Sequence, residues 1–225
     1  MHKYFVSVVL ADNSYKVQES IKRGSVYVPY DIQLSLPLFD GIPWINKSIN
    51  DSKSSIMQDF YNASIQVAVN HSDRSPSLNN QLKGTFVIKR NDAFKSIVVK
   101  LIEFHSPAAH PTYSLRTFNY DVDTDRCVKL SELFKDQQSL GLLATLSQKK
   151  LLDNNVDLDD QSNVFVNATR YTANNYQYWS VDQNLLTIYF WYTITGISDG
   201  QQAVTFSGQE LASLLSGYGK QLLKV

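Results

Sequence analysis

The chain has 225 residues, 43% of them hydrophobic and 12% aromatic, which is enough to bury a core as one large or two small domains and excludes wholesale disorder. Lys plus Arg and Asp plus Glu number 21 each, so the formal charge is zero and the broad positive field of a nonspecific nucleic-acid or anionic-lipid binder is missing. The one cysteine, Cys127, excludes an internal disulfide framework and a Cys-rich zinc site, and leaves the redox compartment open.

The first apolar run, Tyr4 to Ala11, is far shorter than the roughly 20 residues that span a bilayer, so no transmembrane helix is expected. Lys3 before it and Val9-Leu10-Ala11 before Asp12 look like the back half of a secretory signal with a short basic leader; the same residues also read as a first β-strand. Tyr15 to Val28 mixes polar and β-favouring residues. Tyr30 to Leu38 then alternates with period 2, which predicts a half-buried strand ending at Pro37. After the Asp40-Gly41 turn, Ile42, Ile45, Ile49, Ile56 and Phe60 recur at helical spacing, with Asp40 or Pro43 as the start of the helix. Ile65 to Val69 alternates again and reads as a strand. Ser72 to Gln81 is a polar loop, and Leu82 to Lys89 and Ile97 to Phe104 are two strands joined around Asn91-Asp92.

A further strand is expected over Thr112 to Val122, turning at Asp123-Thr124-Asp125 into a hairpin with Cys127 to Leu130. One or two helices are expected between Ser131 and Asp153, where Leu140, Leu143, Leu146 and Leu151 keep helical spacing. Beyond an Asn/Asp-rich loop to Ser162, strands are expected around Val164 to Thr169, Tyr176 to Val181, Leu185 to Thr195 and Ala203 to Phe206, then a terminal helix from Gln209 to Leu223. The pattern predicts an α+β fold, with antiparallel or mixed sheets each packed by one or two helices. Two subdomains of similar size, 12–105 and 106–225, would meet at a seam near residues 105 to 111.

Little in the sequence points to built-in chemistry. The four histidines, His2, His71, His105 and His110, form no metal-ligand spacing, and no metal site is expected. No Gly-x-Ser-x-Gly elbow and no phosphate-binding glycine loop occurs, so neither acyl-enzyme chemistry nor a nucleotide or other cofactor is expected. Asp121, Asp123 and Asp125 alternate as a calcium loop begins, and Glu132 stands twelfth from Asp121. Arg126 occupies the place of the required glycine, however, and Cys127, Val128 and Leu130 make the interior a strand, which favours a turn solvated by its aspartates. His105 and His110 share a bent, proline-flanked segment where both rings could face one site, or where either could simply satisfy a backbone carbonyl. Among the aromatics crowded between Tyr171 and Tyr192, most suit a core, and Tyr171, Tyr176 and Tyr178 are the candidates for an exposed contact surface.

Two stretches resemble a known bacterial envelope module. The first is Ser106-Pro107-Ala108-Ala109-His110-Pro111 with Phe118-Asn119-Tyr120-Asp121 and Leu130-Ser131-Glu132-Leu133-Phe134. The second is Leu185 to Tyr192 with Gly200, Val204-Thr205-Phe206 and Glu210-Leu211. The module is a domain of unknown function shared by anti-sigma-V factors, whose extracytoplasmic part senses lysozyme, and by peptidoglycan deacetylase C proteins, where it lies outside the catalytic domain. The first half of the chain resembles its usual N-terminal partner domain. Thr195 to Gly200 departs from the family's Gly-Pro-Tyr-like turn. The sigma-binding segment and membrane span of the anti-sigma factors and the metal motifs of the deacetylases are not in these residues, so neither activity transfers.

The resemblance implies a periplasmic or secreted address, which the signal-remnant reading of residues 1–11 would fit and the first-strand reading leaves open. The expected function is a non-catalytic binding or sensing module for a cell-wall glycan or a protein such as lysozyme, with His105, His110, Tyr171, Tyr176 and Tyr178 as ligand-binding candidates. Two alternatives stay open: a hydrolase acting on a cell-wall polymer, with His110 as acid or base oriented by Asp121 or Glu132, and a purely structural envelope domain.

Overall fold

The computed structural model describes residues 9–12, 14–23, 26–70, 80–154, 163–190 and 202–225. In chain order they form β1 (Val9–Asp12), β2 (Tyr15–Arg23), β3 (Val26–Leu34), β4 (Pro37–Phe39), α1 (Pro43–Asn70), β5 (Asn80–Asn91), β6 (Phe94–Phe104), β7 (Thr112–Asp121) and β8 (Arg126–Cys127). A 3₁₀ turn (Leu130–Leu133) follows, then α2 (Gln137–Asn154), α3 (Asn163–Thr169), β9 (Trp179–Asp182), β10 (Leu185–Phe190), β11 (Gln202–Ser207), α4 (Gly208–Leu211) and α5 (Gly217–Leu223). The α+β class expected from the sequence is the one observed. A six-stranded sheet has the order β2-β3-β5-β6-β7-β8, β9, β10 and β11 form a second sheet with β10 in the middle, and β1 pairs with β4. Contacts divide the chain into two compact units, each discontinuous in sequence: Met1–Val87 with Val98–Arg116, and Ile88–Ile97 with Thr117–Val225.

In the first unit, β2 and β3 pair antiparallel, and β3 and β5 pair parallel with Tyr30 opposite Asn80 and Leu34 opposite Gly84. A parallel pair needs a crossover, and α1 provides it. Pro43 opens this helix, a position where its missing N–H is no loss. The Asn46 side chain fixes the entry angle by accepting from Phe39 N at 2.9 Å and donating to Phe39 O at 2.7 Å. Gly41, at φ +69°, supplies the left-handed residue of the preceding turn. Ile45, Ile49, Ile56 and Phe60 are buried as their spacing predicts.

The stripe then continues through Ser64 and Ala68, so Ile65 to Val69 is helix and not the expected strand. Five alternating residues fit either structure, and a helix already paired with the sheet along a four-residue stripe decides between them. A second difference is at Pro37, which opens β4, whereas β3 ends at Leu34.

The second unit has its own core, in which Phe94, Leu133, Leu143, Phe165, Trp179, Ile188, Phe206 and Leu223 belong to one buried cluster. Val164 to Thr169, expected as a strand, is the helix α3. Phe165 and Thr169 face inward one turn apart, and the Thr169 hydroxyl donates to Phe165 O at 2.7 Å. Tyr176 to Tyr178 precede β9 as turn and loop. The remainder of the strand expected to reach Thr195, the Thr195 to Gly200 turn, Trp191, Tyr192, His2, His71, residues 4–8 and most of the two polar loops lie outside the described residues.

The expected terminal helix is two short ones because each has its own start signal. Ser207 Oγ accepts from Glu210 N at 3.2 Å while Glu210 Oε2 accepts from Ser207 N at 2.7 Å, a reciprocal capping box on α4. Ser216 Oγ caps α5 at Gly219 N, 3.1 Å away, and donates to Glu132 O at 2.7 Å. Gly219 therefore sits on the 3₁₀ turn, where a Cβ would collide with the Leu133 carbonyl.

A compact ionic knot closes the turn between β5 and β6. Arg90 Nε donates to both oxygens of Asp92 at 2.8 and 2.9 Å, and its Nη1 donates to Leu222 O at 2.8 Å. Asp92 Oδ1 also accepts from Phe94 N at 2.9 Å. Burial alone would raise the Asp92 pKa, but Arg90 and the Phe94 N–H outweigh it and hold the carboxyl below its ordinary range.

Two stability outcomes follow. Gly219→Ala lowers stability by about 1–3 kcal/mol through overpacking, whereas Gly141→Ala in α2, where a Cβ meets nothing within 4 Å, raises it by up to about 1 kcal/mol; urea unfolding of both variants checks the contrast. Because the folded pKa of Asp92 is depressed, its contribution is present above the unfolded carboxyl value of about 4 and is lost as pH falls through the folded one. The stability gap between the native chain and Asp92→Asn is therefore full at pH 7 and closes in acid, as unfolding midpoints measured from pH 7 to pH 2 would register.

Candidate functional site

The segment His105 to Pro111 joins β6 to β7 within the first unit. His105 begins a turn closed by Ala108 N donating to His105 O at 2.9 Å, with Ser106-Pro107 in the cis form. Pro107, Ala108, Ala109 and His110 are exposed, as are Thr112 and Tyr113, and Ile102 on β6 is 40% accessible. Tyr113, at 52%, gives this end of the hairpin an aromatic surface with a polar tip.

Directly beneath, His105 is held from both sides. Its Nδ1 lies 3.1 Å from Ser64 Oγ on α1, and its Nε2 lies 3.5 Å from Glu103 Oε2. The ring packs on Phe60, centroid to centroid 5.0 Å. Nδ1 shares a hydrogen bond with the Ser64 hydroxyl, and a proton on Nε2 points toward the carboxylate. Glu103 is itself positioned from β7, where Ser114 Oγ donates to its Oε1 at 3.4 Å and Thr112 Oγ1 to its carbonyl at 3.3 Å.

A Ser-His-carboxylate chain can in principle polarise a hydroxyl. Here Ser64 is 1% exposed and lies inside a 28-residue helix, whose backbone N–H groups are spent on its own ladder and cannot stabilise an oxyanion. The arrangement is a clasp and not a nucleophile. Neither Ser64 nor Glu103 was singled out from sequence. Ser64 left one signal: a lone hydroxyl on an otherwise apolar stripe with four-residue spacing.

His110 is exposed, and its Nδ1 is 3.3 Å from Pro111 O. Among the described residues no carboxylate lies within hydrogen-bond distance of its ring. The two carboxylates expected to orient it, Asp121 and Glu132, belong to the second unit and are engaged there. Tyr218 OH donates to Asp121 Oδ2 at 2.8 Å, and Thr124 N donates to Oδ1 at 3.2 Å. Glu132 pairs with Arg126 and accepts from Lys129 N at 2.7 Å, while Arg126 lies over the Tyr218 ring. Burial, then the bond to Asp121, pushes the Tyr218 hydroxyl far above its ordinary pKa. The structure thus brings Asp121 and Glu132 into one network, built around Arg126 and Tyr218.

The aromatic candidates do not form an exposed surface. Tyr176 is 1% accessible, donates to Thr169 O at 2.8 Å and meets Phe190 edge-on at 5.2 Å, which contradicts the exposed position expected for it. Its rigid apolar ring serves the core because the hydroxyl finds a carbonyl there. Tyr171 is half-buried against Tyr176 and the second unit's core, and Tyr178 is half-buried.

No family model and no curated protein matches this chain. Solved structures do. A DUF3298 family protein of Pseudomonas aeruginosa PAO1 aligns with a TM-score of 0.57 at 13% identity, over 93% of this chain and 96% of its own. A DUF3298 family member of Bacteroides fragilis NCTC 9343 aligns with a TM-score of 0.60 at 14% identity, over 96% and 97%. The chain shares their fold. Both belong to a domain of unknown function, so the likeness supports the coarser reading of an unknown-function domain, lends nothing to the anti-sigma-V or deacetylase association, and brings no activity with it.

The separation between structural and exposed candidates can be measured. His110→Ala changes stability by less than about 0.5 kcal/mol, as expected of an exposed side chain, while Tyr176→Phe, which leaves Thr169 O without its buried donor, costs about 1–2 kcal/mol. Equilibrium urea unfolding distinguishes the two.

Proposed function

We propose that this chain is a non-catalytic recognition module of the bacterial cell envelope, periplasmic or secreted, whose ligand is a cell-wall glycan or a protein such as lysozyme. The observation that carries the reading is the contrast within one short segment. Residues 107–110 present an exposed, uncharged surface ending in His110, while His105, five residues earlier, is fastened to the helix and strand below. An exposed polar ring on a loop held by a rigid scaffold is how binding residues are commonly displayed.

The sequence resemblance supports the envelope address, and the shared fold with two bacterial domains of unknown function is consistent with it. The described helices do not include one long and apolar enough to cross a membrane. The hydrolase alternative draws no support from His110, whose expected carboxylate partners are occupied by Tyr218 and Arg126.

Calorimetry of the purified chain against lysozyme and against peptidoglycan fragments, with chromatography of the glycan afterwards, tests the reading. Saturable heat without new glycan products, and an affinity about tenfold weaker in His110→Ala, equivalent to about 1.4 kcal/mol, are expected. Absence of binding to either probe, or product release that His110→Ala abolishes, would overturn it.

A further inference from the structure

The exposed loop is tied at its start by Ala108 N donating to His105 O, and the His105 side chain in turn meets Ser64 and Glu103. From α1 come Ser64 Oγ at 3.1 Å and the face of Phe60. From its own strand comes Glu103 at 3.5 Å, steadied by Ser114 on β7. All these residues lie in the first unit, and Ser64 sits on the buried stripe of α1. A serine in mid-helix can return its hydroxyl to the carbonyl four residues back, as the exposed Ser54 does to Asn50 O at 3.1 Å. Ser64 instead meets a ring forty-one residues away in sequence.

We infer that Ser64 and Glu103 are positioning residues for recognition: acting through His105, they hold the 106–110 loop in one conformation before any ligand arrives. This rests on the reading of that loop as the binding surface and names what governs its geometry. The physical gain is that a loop already ordered does not lose conformational freedom on binding. Each link is necessary. Without the Ser64 hydroxyl the ring loses its polar tie to α1 and keeps only the face contact with Phe60. Without an oxygen acceptor at position 103 the Nε2 side of the ring has no partner, the side chain is free to change rotamer, and the backbone at His105 loses an anchor for the turn that its carbonyl closes.

Amide hydrogen exchange on the full chain, read at Ala108 without any ligand, tests the inference. Ser64→Ala and Glu103→Ala are expected to speed exchange at Ala108 by about tenfold or more, because local opening replaces a held turn. Glu103→Gln, which keeps an acceptor oxygen, is expected to restore the wild-type rate. Val99 on β6 and Ile32 on β3 should keep their protection in all three variants.

Exchange at Ala108 within about twofold of wild type in both alanine variants overturns the inference. Equal loosening at Val99 and Ile32 overturns it as well, since the effect would then be loss of the whole unit's stability. Because no ligand enters the measurement, failure of the clasp is read here and failure of the recognition reading is read in the calorimetry.

Discussion

The second unit is organised around one buried polar side chain, Asn119, whose amide oxygen and nitrogen are both engaged. Its Oδ1 accepts from Ser96 Oγ at 2.7 Å on β6, its Nδ2 donates to Trp179 O at 2.9 Å on β9, and its own carbonyl accepts from Val128 N at 2.8 Å. Ser96 completes the circuit by accepting from Val181 N at 2.9 Å. Three strands from distant parts of the sequence, and the segment that follows β8, are thereby tied together by buried groups. In a site this dry each bond is strong and each vacancy is expensive, so the network specifies one arrangement of β6, β7 and β9 where apolar packing alone would tolerate several. The hydrophobic cluster around Trp179, Val181 and Ile188 can close only once those strands are placed.

That constraint explains why the Phe118-Asn119-Tyr120-Asp121 run is recognisable. Asn119 ties strands, Tyr120 is buried, and Asp121 accepts from Tyr218 on α5. Leu130, Leu133 and Phe134 are core, Glu132 closes onto Arg126, and the Glu132 and Leu133 carbonyls seat Ser216 and α5. A motif can thus be a signature of architecture and carry no chemistry. The two solved neighbours are alike in fold at 13% and 14% identity, as expected when a few satisfied polar contacts and a volume-filling core set the topology and the rest of the sequence is free to drift.

Periodicity revealed α1 as far as Phe60, the β5–β6 pair and α2, because long amphipathic elements repeat their signal several times. It failed where the segment was short and the deciding contact was remote. Ile65 to Val69 alternates by accident of composition, and only the continued burial of Ser64 and Ala68 shows the helix. Val164 to Thr169 is rich in β-branched residues, yet its one-turn pair of Phe165 and Thr169 packs it as a helix, which is tertiary context overriding propensity. The break between α4 and α5 lay in capping serines whose partners are themselves tertiary. Of the site, His105 and His110 were visible as a pair, but their opposite fates were not, since nothing in the sequence brings Ser64 to one of them and leaves the other in solvent.

Those opposite fates bear on how a surface this small can recognise anything. A loop of about six residues cannot bury the roughly 800 Å² per partner of a standard protein interface, so its affinity depends on a few well-placed groups and on how little order remains to be imposed. Ala108 and Ala109 contribute little side-chain area and therefore leave the backbone accessible. Under the recognition reading proposed above, the directional contacts fall to His110, Tyr113 and the peptide groups between them. For such a surface, rigidity is the main available source of selectivity, because a floppy short loop would pay in ordering most of what its contacts return. Buried Ser64, with the half-buried His105 and Glu103 joined to it through successive contacts, is the form that rigidity takes.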